Sequence, residues 1–460
     1  MARTESPRWT VSGRNTLIRF MGHCVTTKAG RITGEGMTRE HLEQIRDDAE
    51  IRMRELRDLG LCIDMSRGIP AREQLRLSDA LLDDALIDPP ISADDVDCRN
   101  YGGQQGILDA RRLLSPLLGV PEAQVIVHGN SSLALMYECI ALAWRKGVPG
   151  GTAPWSAGEH GATFICVVPG YDRHFAMCED FGIRMIRVDM LNDGPDVDAV
   201  RRLVATDPSI KGMWCVPKYS NPTGTVYSDE VVKELATMPT LAPDFRLFWD
   251  NAYAVHPLAD VDESLANLYE ACVGAGTTDR ALIFTSTSKM THPGSGVAAI
   301  GASEANIRWW LDAAGLRSVG PDKLNQLRQA RFLRSPSGVK ALMEQHRLLL
   351  KPKFDLVSHV FERHFATSGL ARWTSPKGGY FVSLEVVPGT AAKTVALAQS
   401  LGVKFATAGS CFPYRDDPDD VHLRIAPSYP AIEDLALALE TIAVCTLKSA
   451  ADELLRQARR

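Results

Sequence analysis

The chain has no paired-cysteine motif. Its ten cysteines include no C-x-x-C pair and no companion histidine cluster, so a zinc site is not expected and reduced core thiols are. Several sit in apolar runs such as Ile165-Cys166-Val167, where a thiol acts as a small hydrophobe. Nor is there a run of about 18 uncharged apolar residues, or an apolar segment near the start followed by a small-residue cleavage site. The expectation is neither export nor membrane spanning, with the protein in the cytoplasm. No excess of positive charge stands out: 51 Lys and Arg oppose 56 Asp and Glu, a net charge of -5, and the basic residues are scattered. That excludes the electrostatic footprint of a nucleic-acid binder. Internal repeats and low-complexity tracts are also missing.

What is present is a globular composition, 45% hydrophobic and 23% charged over 460 residues, enough for a large core. Residues 1–36 show no period and read as an arm. From Thr38, Leu42, Ile45, Ala49, Met53 and Leu56 recur at helical spacing, and Gly60 supplies a stop. Between residues 160 and 300, apolar runs alternate with helix-like segments. They cover Thr163–Val168, Ile183–Val188, Met213–Val216, Arg246–Trp249 and Ala281–Phe284, as buried parallel strands require. This pattern predicts an α/β fold, a large mainly parallel sheet flanked by helices. Gly147–Gly161 reads as a long loop. Beyond about residue 330 the pattern is helical, with a strand over Gly379–Val387, and predicts a smaller α+β domain.

Ligands in an open parallel sheet collect beyond the carboxyl ends of the strands. Three polar groups fall there: Ser220-Asn221-Pro222-Thr223-Gly224, Asp250-Asn251-Ala252-Tyr253, and Ser286-Thr287-Ser288-Lys289. A lone lysine after a strand is ordinarily a surface charge. Lys289, however, lies in a hydroxyl-rich turn before Pro293-Gly294-Ser295-Gly296, and a partly desolvated lysine readily forms a Schiff base. Asp250 alone could be a helix cap. Closing an apolar strand, it is an acid facing a cleft and needing a cationic partner.

These motifs resemble the fold-type I aminotransferases over about residues 37–450: NPTG at 221–224, DNAY at 250–253, STSK at 286–289, GGYF at 378–381, and Arg424 in LRIAP. RNYGG at 99–103, PGYDRH at 169–174 and WDNAYAVH at 249–256 are similar to the bacterial aspartate aminotransferases of subgroup Ic. The resemblance implies pyridoxal 5'-phosphate as cofactor, a fold-type I PLP-transferase architecture, and a homodimer with shared active sites. It divides the chain into an arm (1–36), the first part of a small domain (37–95), a large cofactor-binding domain (96–330) and the rest of the small domain (331–460). It makes Lys289 the internal aldimine and proton shuttle, with Asp250 keeping the pyridine nitrogen protonated. Tyr253 and Asn221 would bond the ring hydroxylate, and Tyr171 would stack on the ring. Ser131, Ser132, Ser286 and Ser288 would hold the phosphate, the first two at a helix N-terminus. Tyr101 would reach the phosphate of the neighbouring subunit, and Asn325 would lie in a stretch that also contacts the partner site. Arg424 would clamp the substrate α-carboxylate, with Gly68 and Asn221 beside it.

Some positions depart from that pattern. The phosphate-binding arginine eight residues after the lysine in many aminotransferases is Val297 here, a gap subgroup Ic shares, so the phosphate rests on amides, hydroxyls and His292 as a candidate. Ile69 stands in RGIP where the subgroup reads RGKP, and Ala134 in SSLA where it reads SSLN. Lys218 and His292 replace apolar residues. The reading is an aminotransferase passing the amino group of aspartate or a related amino acid to a 2-oxo acid. Its alternative keeps the aldimine but diverts the quinonoid to γ-elimination, substitution or carbon-carbon bond formation with S-adenosylmethionine or another γ-activated amino acid. A third reading, a PLP-binding regulator, needs a winged-helix domain, for which 36 unpatterned residues are too few.

Overall fold

The computed structural model describes residues 32–34, 36–157 and 161–459. The expected arm lies almost wholly outside them, as do residues 158–160 of the Gly147–Gly161 loop. Among the described residues thirteen strands form: β1 (Ile63–Asp64), β2 (Val125–Val127), β3 (Thr163–Val168), β4 (Arg184–Leu191), β5 (Gly194–Pro195), β6 (Ile210–Cys215), β7 (Arg246–Asp250), β8 (Ala281–Ser286), β9 (Ala298–Ala302), β10 (Ala371–Trp373), β11 (Val382–Val386), β12 (Val403–Lys404) and β13 (His422–Ile425).

The large sheet has eight strands in the order β2-β9-β8-β7-β6-β3-β4-β5. Its five inner strands, β8, β7, β6, β3 and β4, are parallel. The edges are antiparallel, β2 on β9, β9 on β8 and β5 on β4. All residues of β7 and β8 are buried, because helices cover both faces of a parallel sheet. Asp250 pairs with Phe284 and Trp249 with Cys215, so the carboxyl ends of β6, β7 and β8 stand side by side. The five expected strands all form. The runs Val125–Val127 and Ala298–Ala302 are strands that the apolar pattern did not mark.

A second sheet, β10-β11-β13, is antiparallel and carries Arg424 opposite Ser383. Besides the strand expected near Gly379–Val387 it uses two more, β10 and β13. The helix expected from Thr38 spans Arg39–Asp58; the Thr38 hydroxyl caps it by accepting from the His41 amide, and Gly60 follows at φ +60°. Its buried face, Leu42, Ala49, Met53 and Leu56, belongs to the same hydrophobic packing as the C-terminal helix Ile432–Gln457. The chain's first and last described helices therefore lie together, and β1 pairs in parallel with β12 nearby.

Candidate functional site

Lys289 lies three residues past β8, half-buried, with Nζ 4.9 Å from the centre of the Tyr253 ring. Desolvation holds its amine below the ordinary lysine value, against the opposing pull of Asp250. A lysine so placed has an enlarged neutral fraction, the form that attacks a carbonyl. Tyr253 is buried, and burial pushes its phenol well up.

Asp250, the last residue of β7, is 3% exposed. Its Oδ2 accepts a hydrogen bond from His174 Nε2 at 3.2 Å. That imidazole is stacked on Trp214, with centroids 4.2 Å apart and planes 8° apart, and Tyr171 meets it edge-on at 5.0 Å. Burial, followed by the Asp250 charge, lifts the Tyr171 phenol to about 12. Oδ1 of Asp250 is buried without a partner, and so are both polar atoms of the Asn221 amide. Buried polar groups are normally satisfied, so these atoms fit a ligand offering an N–H and an oxygen. A pyridinium ring with a neighbouring hydroxylate offers both. Sequence reasoning gave His174 no role of its own, although it lies three residues after Tyr171 on the helix Asp172–Asp180.

The anion end is built at the helix Ser132–Lys146. Ser131 is its N-cap, its hydroxyl accepting from the Ala134 amide at 3.4 Å, and the free amides of the first turn favour negative charge. Ser286 donates to Ser288 at 3.0 Å, and Ser288 donates to the Asn130 carbonyl at 3.2 Å, which ties the lysine turn to this helix start. Beside them a cavity of about 340 Å³ opens between Gly129, Asn130, the Gly294–Val297 loop and Asn325. Asn325 donates to the Ser295 and Gly296 carbonyls at 2.9 and 3.0 Å. His292 has a different task from the phosphate role considered above. Its Nε2 donates to the Leu75 carbonyl at 3.0 Å and lies 3.4 Å from Asp79, which ties the lysine turn to the segment before residue 80.

Arg424 is 7% exposed on β13, its guanidinium 5.1 Å from the centre of the Phe381 ring. Nη1 donates to Asp172 at 3.1 Å, while Nε is buried without a partner. A Cβ on Gly68 would stand 2.4 Å from the Phe381 ring, so only glycine lets this loop close over the ring beneath Arg424. Ser428 donates to the Ile69 carbonyl at 2.9 Å, fixing that loop, and leaves the Ile69 side chain 42% exposed. Ala134 is exposed in the first turn of its helix. Lys218 forms an ion pair with Asp262 at 2.8 Å, which accounts for its charge. Tyr101 is 83% exposed and so is not buried with these groups. Among the described residues no cluster of His, Cys, Asp and Glu could hold a metal, and no helix is long and apolar enough to cross a membrane.

The family model described as aspartate amino-transferase matches residues 37–458. The aspartate aminotransferase of Corynebacterium glutamicum is 44% identical over 413 residues, covering 90% of this chain and 95% of its own. A Mycolicibacterium smegmatis protein named as an aminotransferase is 47% identical over 422 residues, 90% of this chain and 96% of that one. A crystal structure of an aspartate transaminase from Corynebacterium glutamicum superposes with a TM-score of 0.88 at 42% identity, over 92% of this chain and 100% of that chain.

Proposed function

Because this chain belongs to the aspartate aminotransferase family, whose members are pyridoxal-phosphate-dependent transferases, we propose that it moves the amino group of aspartate or a closely related amino acid to a 2-oxo acid such as 2-oxoglutarate. The observation that carries this reading is the convergence on one sheet edge of a desolvated lysine and an aspartate with one unpartnered buried oxygen.

When bound, the cofactor supplies an aldehyde that captures amines and a ring that accepts electron density from the substrate α-carbon. Lys289 would hold it through the side-chain amine and then carry the proton away from that carbon. Asp250, its other oxygen fixed by His174, would face the ring nitrogen and favour its protonated form. Asn221 and Tyr253 would meet the ring oxygen, and Tyr171 would cover the ring face. Ser131, Ser132, Ser286 and Ser288 would take the phosphate at the helix start. Arg424 would grip the α-carboxylate with the Nε side of its fork, since Nη1 is already held by Asp172. The working unit in this reading is a homodimer, Tyr101 of each chain reaching the site of its partner.

The test is to incubate the cofactor-loaded protein with aspartate and 2-oxoglutarate and follow both products. Equimolar oxaloacetate and glutamate support the proposal. Turnover of another amino acid to ammonia or to a substituted product, with no glutamate formed, overturns it.

A further inference from the structure

The turn that carries Lys289 has an unusual problem at its carbonyls. Met290 and Thr291 donate their amides back to the Thr287 carbonyl, each at 2.9 Å, so the turn begins as a helix would. A continuing helix would close the Lys289 carbonyl with the amide four residues on, and a tighter turn would close the Met290 carbonyl with the amide three residues on. Both donors fall on residue 293, which is proline and has no N–H. Leaving a buried carbonyl unmade costs roughly 1–3 kcal/mol, so other donors are needed.

Two buried imidazoles provide them. His256 Nε2 lies 3.3 Å from the Lys289 carbonyl, and His346 Nε2 lies 2.8 Å from the Met290 carbonyl. A carbonyl only accepts, so both rings carry their proton on Nε2. For His346 the other nitrogen is then an acceptor, and Gln74 Nε2 donates to it at 3.1 Å. The second proton of that amide goes to the Tyr380 hydroxyl at 2.8 Å, while Gln74 Oε1 accepts from the Ala71 amide at 3.0 Å. Each polar atom of Gln74 and His346 is thereby used, and the ring has one tautomer and one orientation. His256 is wedged edge-on between Tyr253 and Tyr380, centroids 6.0 and 5.6 Å away. Burial, with lesser effects from His346 and Lys289, lowers its ring to about 3, and burial lowers His346 as well, so both donate as neutral groups.

We propose that His256 and His346 are positioning residues for Lys289, replacing the backbone donor that Pro293 lacks and thereby fixing where the lysine amine stands against Asp250 and Tyr253. This rests on the assignment of Lys289 as the cofactor-holding amine. Gln74 acts through His346, which also ties the turn to the Gly68 segment. The lysine's titration is set by the desolvating pocket against the charge of Asp250, while the Tyr253 ring faces its amine at 4.9 Å and His256 holds its carbonyl.

The experiment measures the pH dependence of pyridoxal phosphate capture by apoprotein, trapped with borohydride and located by peptide mass analysis, alongside kcat and KM of the loaded enzyme. In His256→Phe and His346→Phe the capture midpoint should rise by about half a pH unit or more toward the ordinary lysine value. In both, kcat should fall roughly tenfold to a hundredfold, with KM changed much less. His256→Gln and His346→Gln, whose amides can donate to the same carbonyls, should restore both quantities. Should a phenylalanine variant not fold, Gln74→Leu, which frees the His346 ring without touching the turn, is read the same way. Variants with lowered thermal stability but unchanged midpoint and kcat would overturn the proposal. Lys289→Ala tests the underlying assignment separately: a borohydride-stable adduct in that variant would remove Lys289 from its role whatever the histidine variants do.

Discussion

At the scale of single residues, the site depends on groups left unsatisfied by their own chain. Asp250 presents a buried oxygen with no partner while His174 fixes the other. Asp250→Asn keeps the size but places an amide where the ring nitrogen's proton must be held. The expected result is a cofactor that still binds and a kcat lower by a factor on the order of a hundred or more, read by steady-state assay at saturating donor. Arg424→Lys tests the fork. Arg424 keeps its Nε side open while Nη1 is tied to Asp172, a geometry an ammonium cannot copy. KM for the amino acid should rise roughly tenfold to a hundredfold, with a smaller change in kcat. Lys289 and Asp250 stood out in the sequence because each has a residue type that calls for a partner and ends or follows an apolar run, whereas Arg424, inside β13, was named only through the resemblance of LRIAP. His174, Gln74 and His346 did not stand out. The bond between Gln74 and His346 joins positions 272 apart, and no local pattern announces a contact of that range.

At the scale of elements, three helices meet on one carboxylate. Glu440, on Ile432–Gln457, accepts from His364 at 2.9 Å and from Arg52 at 3.3 Å, and also pairs with Arg363. Its side chain is 14% exposed. The His364 bond, with the nearby positive charges, draws its carboxyl down to about 2 from 4.5. A carboxyl depressed by folding stabilises the folded state above its unfolded value, and loses that contribution as pH falls through the folded one. Glu440→Gln should therefore cost roughly 1–3 kcal/mol near neutrality. The gap between variant and parent in denaturant unfolding should close as pH drops from 4.5 toward 2. A gap independent of pH would mean that packing, not charge, sets the cost. The central strands were readable because burial on both faces writes continuous Ile, Val, Phe and Trp runs. Strand β9 reads Ala-Ala-Ile-Gly-Ala, with too little β-branched or aromatic character to stand out, and β2 is only three residues long.

At the scale of the whole molecule, the large sheet supplies Lys289 and Asp250 while β13 of the second sheet supplies Arg424, so the site depends on how distant stretches of chain come together. That assembly was the least legible part of the sequence, since the two-residue pairing of Ile63 with Val403 leaves no periodic trace. The proposed homodimer extends the same logic beyond one chain. Tyr101, Leu316 and Val319 are 83%, 83% and 61% exposed, and the Gly102 amide bonds the Val319 carbonyl, so these apolar side chains lie on neighbouring segments of one surface. Large apolar side chains left open at neighbouring positions suit a subunit contact. If each site combines Lys289 of one chain with Tyr101 of the other, a heterodimer of Lys289→Ala with Tyr101→Ala contains one intact site and one doubly damaged site. Random reassociation makes half the dimers mixed, and half the sites of those intact, so the mixture should regain about a quarter of the parent's specific activity. Separate sites leave no such route, because every chain then carries its own defect and mixing yields only the mean of the two variants. Gel filtration of the mixture fixes the dimer, and the activity regained above that mean fixes whether the sites are shared.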